Sequence, residues 1–127
     1  MVRTILVEDN QEFRRCLRKI LCTHYPFIQV IEAENEEEVM REIDHVPPDL
    51  IFMDIHLPGK NGLQLTQEIK SRYPNIVVIV LTDYDLPEYQ ETAHRSGANY
   101  FVSKDSSMAD FFALVESVTQ SCSSGLN

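Results

Sequence analysis

The sequence predicts an α/β fold, in which one parallel β-sheet lies between two layers of helices. Short apolar runs alternate with amphipathic stretches five times along the chain, and strict alternation of strands and helices is typical of parallel sheets. The 127 residues are 43% hydrophobic and 24% charged, which suits one domain with a proper core. We therefore expect five strands and five helices in a three-layer sandwich.

The first two units are each a short apolar strand followed by a helix. VRTILV (2–7) is the first strand, and residues at helical spacing follow it: Phe13, Leu17, Ile20, Leu21 and His24. FIQVIEA (27–33) is the second strand. Asn35 and Glu38 then form a capping pattern, so the second helix is expected to begin there.

The other three units repeat this order. DLIFM (49–53) is the third strand, and the helix behind it is expected to stop at Pro74. NIVVIVLT (75–82) is rich in β-branched residues and predicts a fourth strand, with a weaker helix over 86–96. NYFVS (99–103) is the last strand, and the last helix carries an apolar stripe formed by Met108, Phe111, Phe112, Val115 and Val118.

Composition and charge exclude several classes of protein. A net charge of −9 and a pI near 4.8 oppose broad contact with nucleic acid, whose binding depends on clustered Lys and Arg. No apolar stretch approaches the roughly 20 residues of a membrane span, and the first residues lack the pattern of a secretory signal. We therefore expect a cytoplasmic protein with no membrane partner.

The cysteines show no metal-ligand spacing, and three of the four histidines are expected to be structural or surface residues. Cys16 and Cys22 would lie about 9 Å apart along one helix, too far for a disulfide, and Cys122 completes an odd number. Reduced cytosolic thiols are the simplest interpretation. No pair among His24, His45 and His94 has the spacing of a metal site.

Polar residues follow four of the five predicted strands, at the point where each strand ends. Glu8 and Asp9 follow the first, Asp54 the third, Thr82 the fourth and Lys104 the fifth. Ligands of open parallel sheets bind outside the carboxyl ends of the strands. The sequence therefore predicts that three acids, a hydroxyl and an ammonium converge at one edge.

This combination of groups suits metal-assisted phosphoryl chemistry. Clustered carboxylates repel one another, so Glu8, Asp9 and Asp54 would either take up protons or hold a hard divalent cation such as Mg²⁺. A carboxylate beside Mg²⁺ can attack phosphorus while Lys104 offsets the charge on the phosphoryl oxygens. Thr82 can donate its hydroxyl to one of those oxygens.

Each residue also has a role that needs no shared site. Asp54 can cap a turn, Glu8 and Asp9 can cap the first helix, and Lys104 can be a solvated charge. Together these roles require a coincidence at four strand ends, so we favour one functional site.

The five residues together resemble the receiver domain of two-component response regulators. Glu8-Asp9, Asp54 in FMDIHLPGKNGLQL, Thr82 in VIVLT and Lys104 in GANYFVSK stand in the family's order over roughly residues 2–120. The resemblance implies the flavodoxin-like doubly wound sheet with strand order 2-1-3-4-5. It also implies a receiver domain over 1–120, and the shift to Ser, Gly and Asn beyond Val118 predicts that 121–127 are the start of a linker or disordered tail.

The resemblance assigns a role to each matching residue. Asp54 matches the phosphoacceptor, while Glu8 and Asp9 match the acidic pair that binds Mg²⁺ together with Asp54 and the backbone carbonyl of His56. Lys104 matches the family's lysine, and Thr82 matches the switch hydroxyl. Phe101 matches the aromatic whose rotamer follows the switch and repacks the face of the fourth helix, fifth strand and fifth helix, although a strand aromatic is a core residue by default.

Three positions depart from the family or can tune it. Asp83 stands where receivers commonly carry Ala or Gly, which would crowd the acceptor and make its rim more acidic. Lys104 is followed by Asp105, where many receivers have Pro, and YFVSKDS is more similar to regulators with a LuxR-type helix-turn-helix output. His56 lies two residues after Asp54, where a side chain either tunes loss of the phosphoryl group or is an ordinary loop residue.

The resemblance implies a phosphorylation-dependent signalling switch rather than a metabolic enzyme. Its expected partners are a sensor histidine kinase, DNA through a C-terminal output domain outside this chain, and a second copy on phosphorylation. A stand-alone receiver is the other interpretation of the tail. The alternative function is a receiver-like protein-interaction module that works without phosphorylation.

Rival enzymes fit the residues less well. A flavin carrier shares the architecture, but the acidic loop EDNQEF would repel a flavin phosphate. A P-loop nucleotide hydrolase needs Gly-x-x-x-x-Gly-Lys-Ser/Thr, which the sequence lacks. A metal-dependent phosphatase would need a general acid near Asp54, and only His56 is placed for that role.

Overall fold

A single parallel sheet with helices on both faces forms the molecule, which is known here from a computed structural model that describes residues 1–57, 59, 61–83 and 86–124. The strands are β1 (Val2–Val7), β2 (Ile28–Ala33), β3 (Leu50–Asp54), β4 (Val77–Thr82) and β5 (Tyr100–Ser103). The helices are α1 (Gln11–His24), α2 (Glu36–His45), α3 (Gly62–Arg72), α4 (Pro87–Arg95) and α5 (Met108–Ser124). The strand order is β2-β1-β3-β4-β5, which confirms the predicted fold class and strand order.

The sheet separates two apolar cores. Along β3, Ile51 and Met53 belong to one core while Leu50 and Phe52 belong to the other, because successive side chains of a strand point to opposite faces. The first core also receives side chains from α2, α3 and α4, and the second from α1 and α5. Burial of each large apolar side chain stabilises the fold by roughly 1.5–3 kcal/mol. The three layers are thereby held together around β3.

Asparagine side chains fix the starts of the first three helices. Asn10, Asn35 and Asn61 each accept a hydrogen bond from a backbone N–H of the helix that follows. The predicted pattern of Asn35 and Glu38 is confirmed, since Asn35 accepts from the Glu38 N–H at 2.9 Å. The Glu38 carboxylate accepts from the Glu34 N–H, one residue outside the cap. These caps set where each helix begins relative to the sheet edge.

The last helix is longer than its apolar stripe predicts. The stripe ends at Val118, but α5 continues to Ser124, so residues 121–124 are helical rather than an extended linker. Residues 125–127 of the expected tail lie outside the described residues, and the domain boundary near 120 stays a prediction.

The remaining sequence-based expectations concern thiols and membrane segments. Cys16 and Cys22 are free and exposed, while the side chain of Cys122 lies outside the described residues. Among the helices of the described residues, none combines the length and hydrophobicity that crossing a bilayer requires.

Candidate functional site

Three acids meet at the carboxyl edge of the sheet, beyond the ends of β1 and β3. Ligand atoms of Glu8, Asp9 and Asp54 all lie within 4.8 Å of one another. Glu8 and Asp54 are buried, whereas Asp9 is exposed. We call these three residues the acid pocket. The structure therefore brings together the acids that the sequence placed at two separate strand ends.

Lys104 follows the edge strand β5, and its side chain reaches the acid pocket past the end of β4. Its backbone N–H donates to the Thr82 carbonyl at 2.8 Å, which ties the residue after β5 to the end of β4. Its ammonium pairs with the Glu8 carboxylate and lies 3.5 Å from an Asp54 oxygen. The predicted convergence of Lys104 with the acids is thus present in the structure.

Burial shifts the pKa of Glu8. Desolvation is the largest cause, and a hydrogen bond with Asp54 adds to it, so that the pKa of Glu8 rises to about 7 although Lys104 opposes the change. The pKa of Lys104 is also raised, because the favourable interactions with Glu8 and Asp54 outweigh its desolvation. Without a bound cation, the acid pocket therefore favours a proton on Glu8 and a charged lysine.

Asp54 is held by the backbone around it. It is the last residue of β3, and its Oδ1 accepts from the His56 N–H at 3.3 Å. The Ile55 carbonyl accepts from the Gly62 N–H at 2.8 Å, so the start of α3 closes against the end of β3. Pro58 and Lys60, between β3 and α3, lie outside the described residues. A strand end fixed on both sides gives Asp54 a defined position.

Thr82 and Asp83 border the acid pocket on the side of β4. Thr82 is the last residue of β4 and is fully buried. Asp83 is exposed and contributes to the raised pKa of Lys104 through its charge. The negative charge of Asp83 at this border therefore acts on the Lys104 ammonium.

Phe101 and Tyr100 lie on β5, an edge strand of the sheet. Phe101 is half-buried and packs against the core shared by α2, α3 and α4. Depressions of about 260 Å³ and 190 Å³ lie beside its ring, toward α4 and α5 respectively. Tyr100 is 38% exposed. Phe101 therefore has neighbouring space, unlike the closely packed strands at the centre of the sheet.

The histidines separate into one neighbour of the acid pocket and three distant residues. His56 is exposed, and its ring meets that of Tyr89 edge-on at 6.3 Å between centroids. His24 instead packs on Phe112 at the far end of α1. Within the described ranges, the acid pocket is the one group of three or more potential metal ligands, and none of the histidines belongs to it.

Arg14 is a residue that the sequence analysis missed. Its guanidinium is nearly buried and donates to the Glu8 carbonyl at 2.7 Å and to the Glu32 carboxylate at 2.9 Å. The end of β1 is thereby tied to α1 and β2. The sequence did contain a signal, because Arg14 falls three residues before Leu17 on the buried face of α1, where a charge requires a partner.

Phe13 is a second residue whose contact the sequence did not reveal. The Lys104 ammonium lies 4.5 Å from the centroid of the Phe13 ring, which is within cation–π range. The sequence marked Phe13 only as an apolar position of α1, since nothing in helical spacing tells which distant lysine a ring will meet.

The fold and the site together define a class: α/β proteins whose functional side chains lie beyond the carboxyl ends of a five-stranded parallel sheet. Comparison with known families gives the particular one. The family described as the response regulator receiver domain matches residues 4–116, and the chain belongs to this family.

Three similar proteins illustrate the relationship. The chain is 31% identical to the transcriptional regulatory protein DegU of Brevibacillus brevis, over 92% of this chain and 48% of that protein. It is 33% identical to the DNA-binding transcriptional activator DevR/DosR of Mycobacterium tuberculosis, over 83% of this chain and 48% of that protein. A LuxR-family two-component response regulator from Aurantimonas sp. SI85-9A1 has a TM-score of 0.85 at 26% identity, covering 93% and 84% of the two chains.

These comparisons establish the general function. Receiver domains are the phosphorylation-dependent switches of two-component signalling, and their family uses Mg²⁺ at an acidic pocket. The relatives named above are transcriptional regulators. The chain spans about half the length of these curated relatives.

Proposed function

We propose that Asp54 is the phosphoacceptor of this receiver, that a sensor histidine kinase supplies the phosphoryl group, and that the acid pocket binds the Mg²⁺ that the transfer needs. One observation carries the proposal: Glu8, Asp9 and Asp54 share a pocket with Lys104. In the proposed transfer, an Asp54 carboxylate oxygen bonds to phosphorus while the bond from phosphorus to the kinase histidine nitrogen breaks.

The position of Asp54 suits a nucleophile. Its carboxylate is almost wholly buried at a strand end, and the His56 N–H supports one of its oxygens. The transferred group brings negative charge into the pocket, which favours an ammonium close by. Lys104 lies 3.5 Å from the same Asp54 oxygen that accepts from His56. Charge neutralisation at the phosphoryl oxygens is therefore its proposed role.

The residues present fit a hard divalent cation. All three side chains offer carboxylate oxygens, the donors that Mg²⁺ prefers, and the exposed Asp9 leaves a side open to water. Glu8, Asp9, Asp54 and the His56 carbonyl would hold the ion. When bound, Mg²⁺ supplies positive charge that draws the donor phosphate in and stabilises the charge of the transferring group.

The switch would act through Thr82 and Phe101. A phosphoryl group adds roughly −1.5 to −2 charges and new acceptor oxygens, and the Thr82 hydroxyl is a donor at the neighbouring strand end. Movement of Thr82 toward Asp54 would free space that Phe101 can enter from β5. The face formed by α4, β5 and α5 would then repack, which is how a local charge biases a two-state element.

Intact mass measurement after incubation with acetyl phosphate tests the proposal. The wild type should gain the mass of one phosphoryl group only when Mg²⁺ is present, and Asp54→Ala should gain none. Asp110→Ala, which removes an exposed acid on α5, is the matched control and should behave like the wild type.

Two contrary results of the mass measurement would have different meanings. Uptake by Asp54→Ala would place the acceptor elsewhere. No uptake by a folded wild type, from acetyl phosphate or from a phosphorylated kinase, would support the alternative of an interaction module that works without phosphorylation. The Asp83 rim is the feature that could cause such a loss, so Asp83→Ala should then be tested for recovery.

The output is proposed to be transcriptional. The named relatives are transcriptional regulators of twice this chain's matched length, so DNA would be bound by a segment outside residues 1–127. The kinase would meet this receiver in the cytoplasm, and phosphorylation would favour a homodimer. Light scattering with and without the phosphoryl mimic beryllium fluoride tests the dimer, which should form only with the mimic.

A further inference from the structure

Phe13 is fixed in the first turn of α1, close to the acid pocket. The Asn10 side chain caps the helix by accepting from the Phe13 N–H at 3.1 Å. The Phe13 ring is half-buried and packs against the core shared by α1 and α5. Both its backbone and its ring are therefore anchored, although Phe13 belongs to none of the strands that form the pocket.

The Lys104 side chain is 9% exposed, and the contacts of its ammonium determine where its charge lies. Its backbone N–H is bonded to Thr82, but its ammonium stands at the end of a flexible four-carbon stem. The ammonium has contacts of two kinds: with the carboxylates of Glu8 and Asp54, and with the Phe13 ring at 4.5 Å. The Phe13 ring is uncharged, unlike the two carboxylates.

We propose that Phe13 is a positioning residue. Its ring holds the Lys104 ammonium beside the acid pocket. The carboxylates attract any cation, so their hold on Lys104 weakens once they engage a divalent ion. The ring offers no oxygen ligand to such an ion, so it continues to attract the ammonium in either condition. Lys104 thus stays within reach of Asp54 when its ionic partners are occupied. The consequence for reaction rate rests on the proposed function.

The surroundings of Phe13 permit a sharp set of variants. Its ring lines a groove of about 180 Å³ between α1 and α5, together with Ile20, Met108 and Lys104. Phe13→Tyr retains an aromatic face. Phe13→Leu retains an apolar contact but loses the ring. Ile20→Ala removes apolar volume from the same groove about 10 Å further along α1, and is the packing control.

Two measurements on the full chain test the inference. The first is the NMR signal of the Lys104 ε-methylene protons, which the face of a nearby ring shifts upfield. The second is the rate constant for phosphoryl uptake from acetyl phosphate at saturating Mg²⁺. Phe13→Leu should lose the upfield shift and react about threefold to tenfold more slowly, whereas Phe13→Tyr and Ile20→Ala should keep the shift and the rate of the wild type.

Each contrary result has one interpretation. An unshifted Lys104 signal in the wild type, or a normal rate for Phe13→Leu, would overturn the positioning role. An equal loss of rate in Ile20→Ala would show that groove packing, rather than the ring, is responsible. If the wild type takes up no phosphoryl group, the proposed function fails, and the NMR signal still decides whether the ring holds Lys104.

Discussion

The surroundings of Glu8 raise the pKa of its carboxyl group. Its carboxyl group is fully buried between Lys104 and Asp54, and a buried carboxylate close to another carboxylate is expensive unless cations offset the charge. The protein places this cost at the site where a divalent cation would remove it. Stability and cation binding should therefore be coupled at Glu8.

The first prediction is a loss of stability as the pH rises in the absence of divalent cations. The pKa of Glu8 is about 7 in the folded protein, against an ordinary value of 4.5, so the folded chain binds more protons than the unfolded chain between these values. The free energy of unfolding should then fall by roughly 1–3 kcal/mol from about pH 5 to pH 8. Urea unfolding at several pH values, in the presence of a chelator, measures it.

The control for this prediction is Glu8→Gln, which has no carboxylate to ionise and should flatten the dependence. Glu32 does not obscure the result, because its pKa is lowered by Arg18 and Arg14 despite desolvation, and its contribution is lost only as the pH falls below its ordinary range. An equally steep fall in Glu8→Gln would assign the effect to another group.

The second prediction concerns Thr4, which is fully buried on β1. Its hydroxyl has no hydrogen-bond partner within the part of the chain that the structure describes, and such a group destabilises the native state. Thr4→Val should raise the free energy of unfolding by about 1 kcal/mol. Thr66→Val is the matched control, since the Thr66 hydroxyl donates to the Gly62 carbonyl at 2.8 Å and its removal should be destabilising. A loss in both variants would contradict the argument.

At the scale of elements, the junction between β3 and α3 determines where Asp54, the proposed acceptor, lies. A Cβ atom on Gly62 would stand 1.9 Å from the Asp54 carbonyl oxygen and 3.0 Å from the Ile55 Cα. Both neighbours are backbone atoms, so no side-chain rotation can make room. The start of α3 can approach the end of β3 this closely only with glycine at 62.

The third prediction follows from this contact. Gly62→Ala should force β3 and α3 apart, lower the free energy of unfolding by about 2 kcal/mol or more, and slow phosphoryl uptake by displacing Asp54. Denaturant unfolding and the acetyl phosphate reaction measure the two effects. A variant with normal stability and normal uptake would show that the junction adapts without cost.

Gly97→Ala is the control for Gly62. Gly97 has φ of 96° and its added Cβ would meet only the Lys70 side chain, at 3.3 Å, so we expect a cost of about 1 kcal/mol from the backbone conformation. Gly97 precedes β5 at the opposite edge of the sheet from Asp54. Its substitution should therefore leave phosphoryl uptake unchanged.

Elements also show what a sequence can predict. The number of strands and helices followed from apolar periodicity, because each element must bury one face or both. The end of α5 did not, since Ser and Gln residues beyond Val118 carry no apolar period and yet continue the helix to Ser124. The close approach of Gly62 to Asp54 did not follow from the sequence either, because it depends on how two elements pack.

At the scale of the whole molecule, the location of the site was predictable because all five strands are parallel. Their carboxyl ends share one edge, so Glu8, Asp54 and Lys104 had to lie near one another once the strands were identified. The finer contacts were not predictable. The pairing of Lys104 with Phe13 depends on side-chain directions, and the role of Arg14 depends on which carbonyl its guanidinium reaches.

The fourth prediction concerns the molecule's charge. With 20 acidic and 11 basic residues, the chain has a net charge of −9, and like charge repels nucleic acid. Residues 1–127 alone should therefore show no saturable binding to duplex DNA at about 0.1 M salt, as measured by fluorescence anisotropy. Saturable binding that weakens with added salt would contradict this and place a DNA-binding surface on the receiver itself.

The pairing of Glu8 with Lys104 joins residues separated by 96 positions, and this has a consequence for synthesis. A ribosome makes Glu8, Asp9 and Asp54 long before Lys104, so a growing chain contains the acids without their lysine. Such a chain also lacks β5, the strand that pairs with β4 and places Ser103 opposite Thr82. A nascent receiver therefore cannot complete its proposed acceptor site until almost all of the domain has been translated, and the proposed kinase would meet a competent partner only after that point.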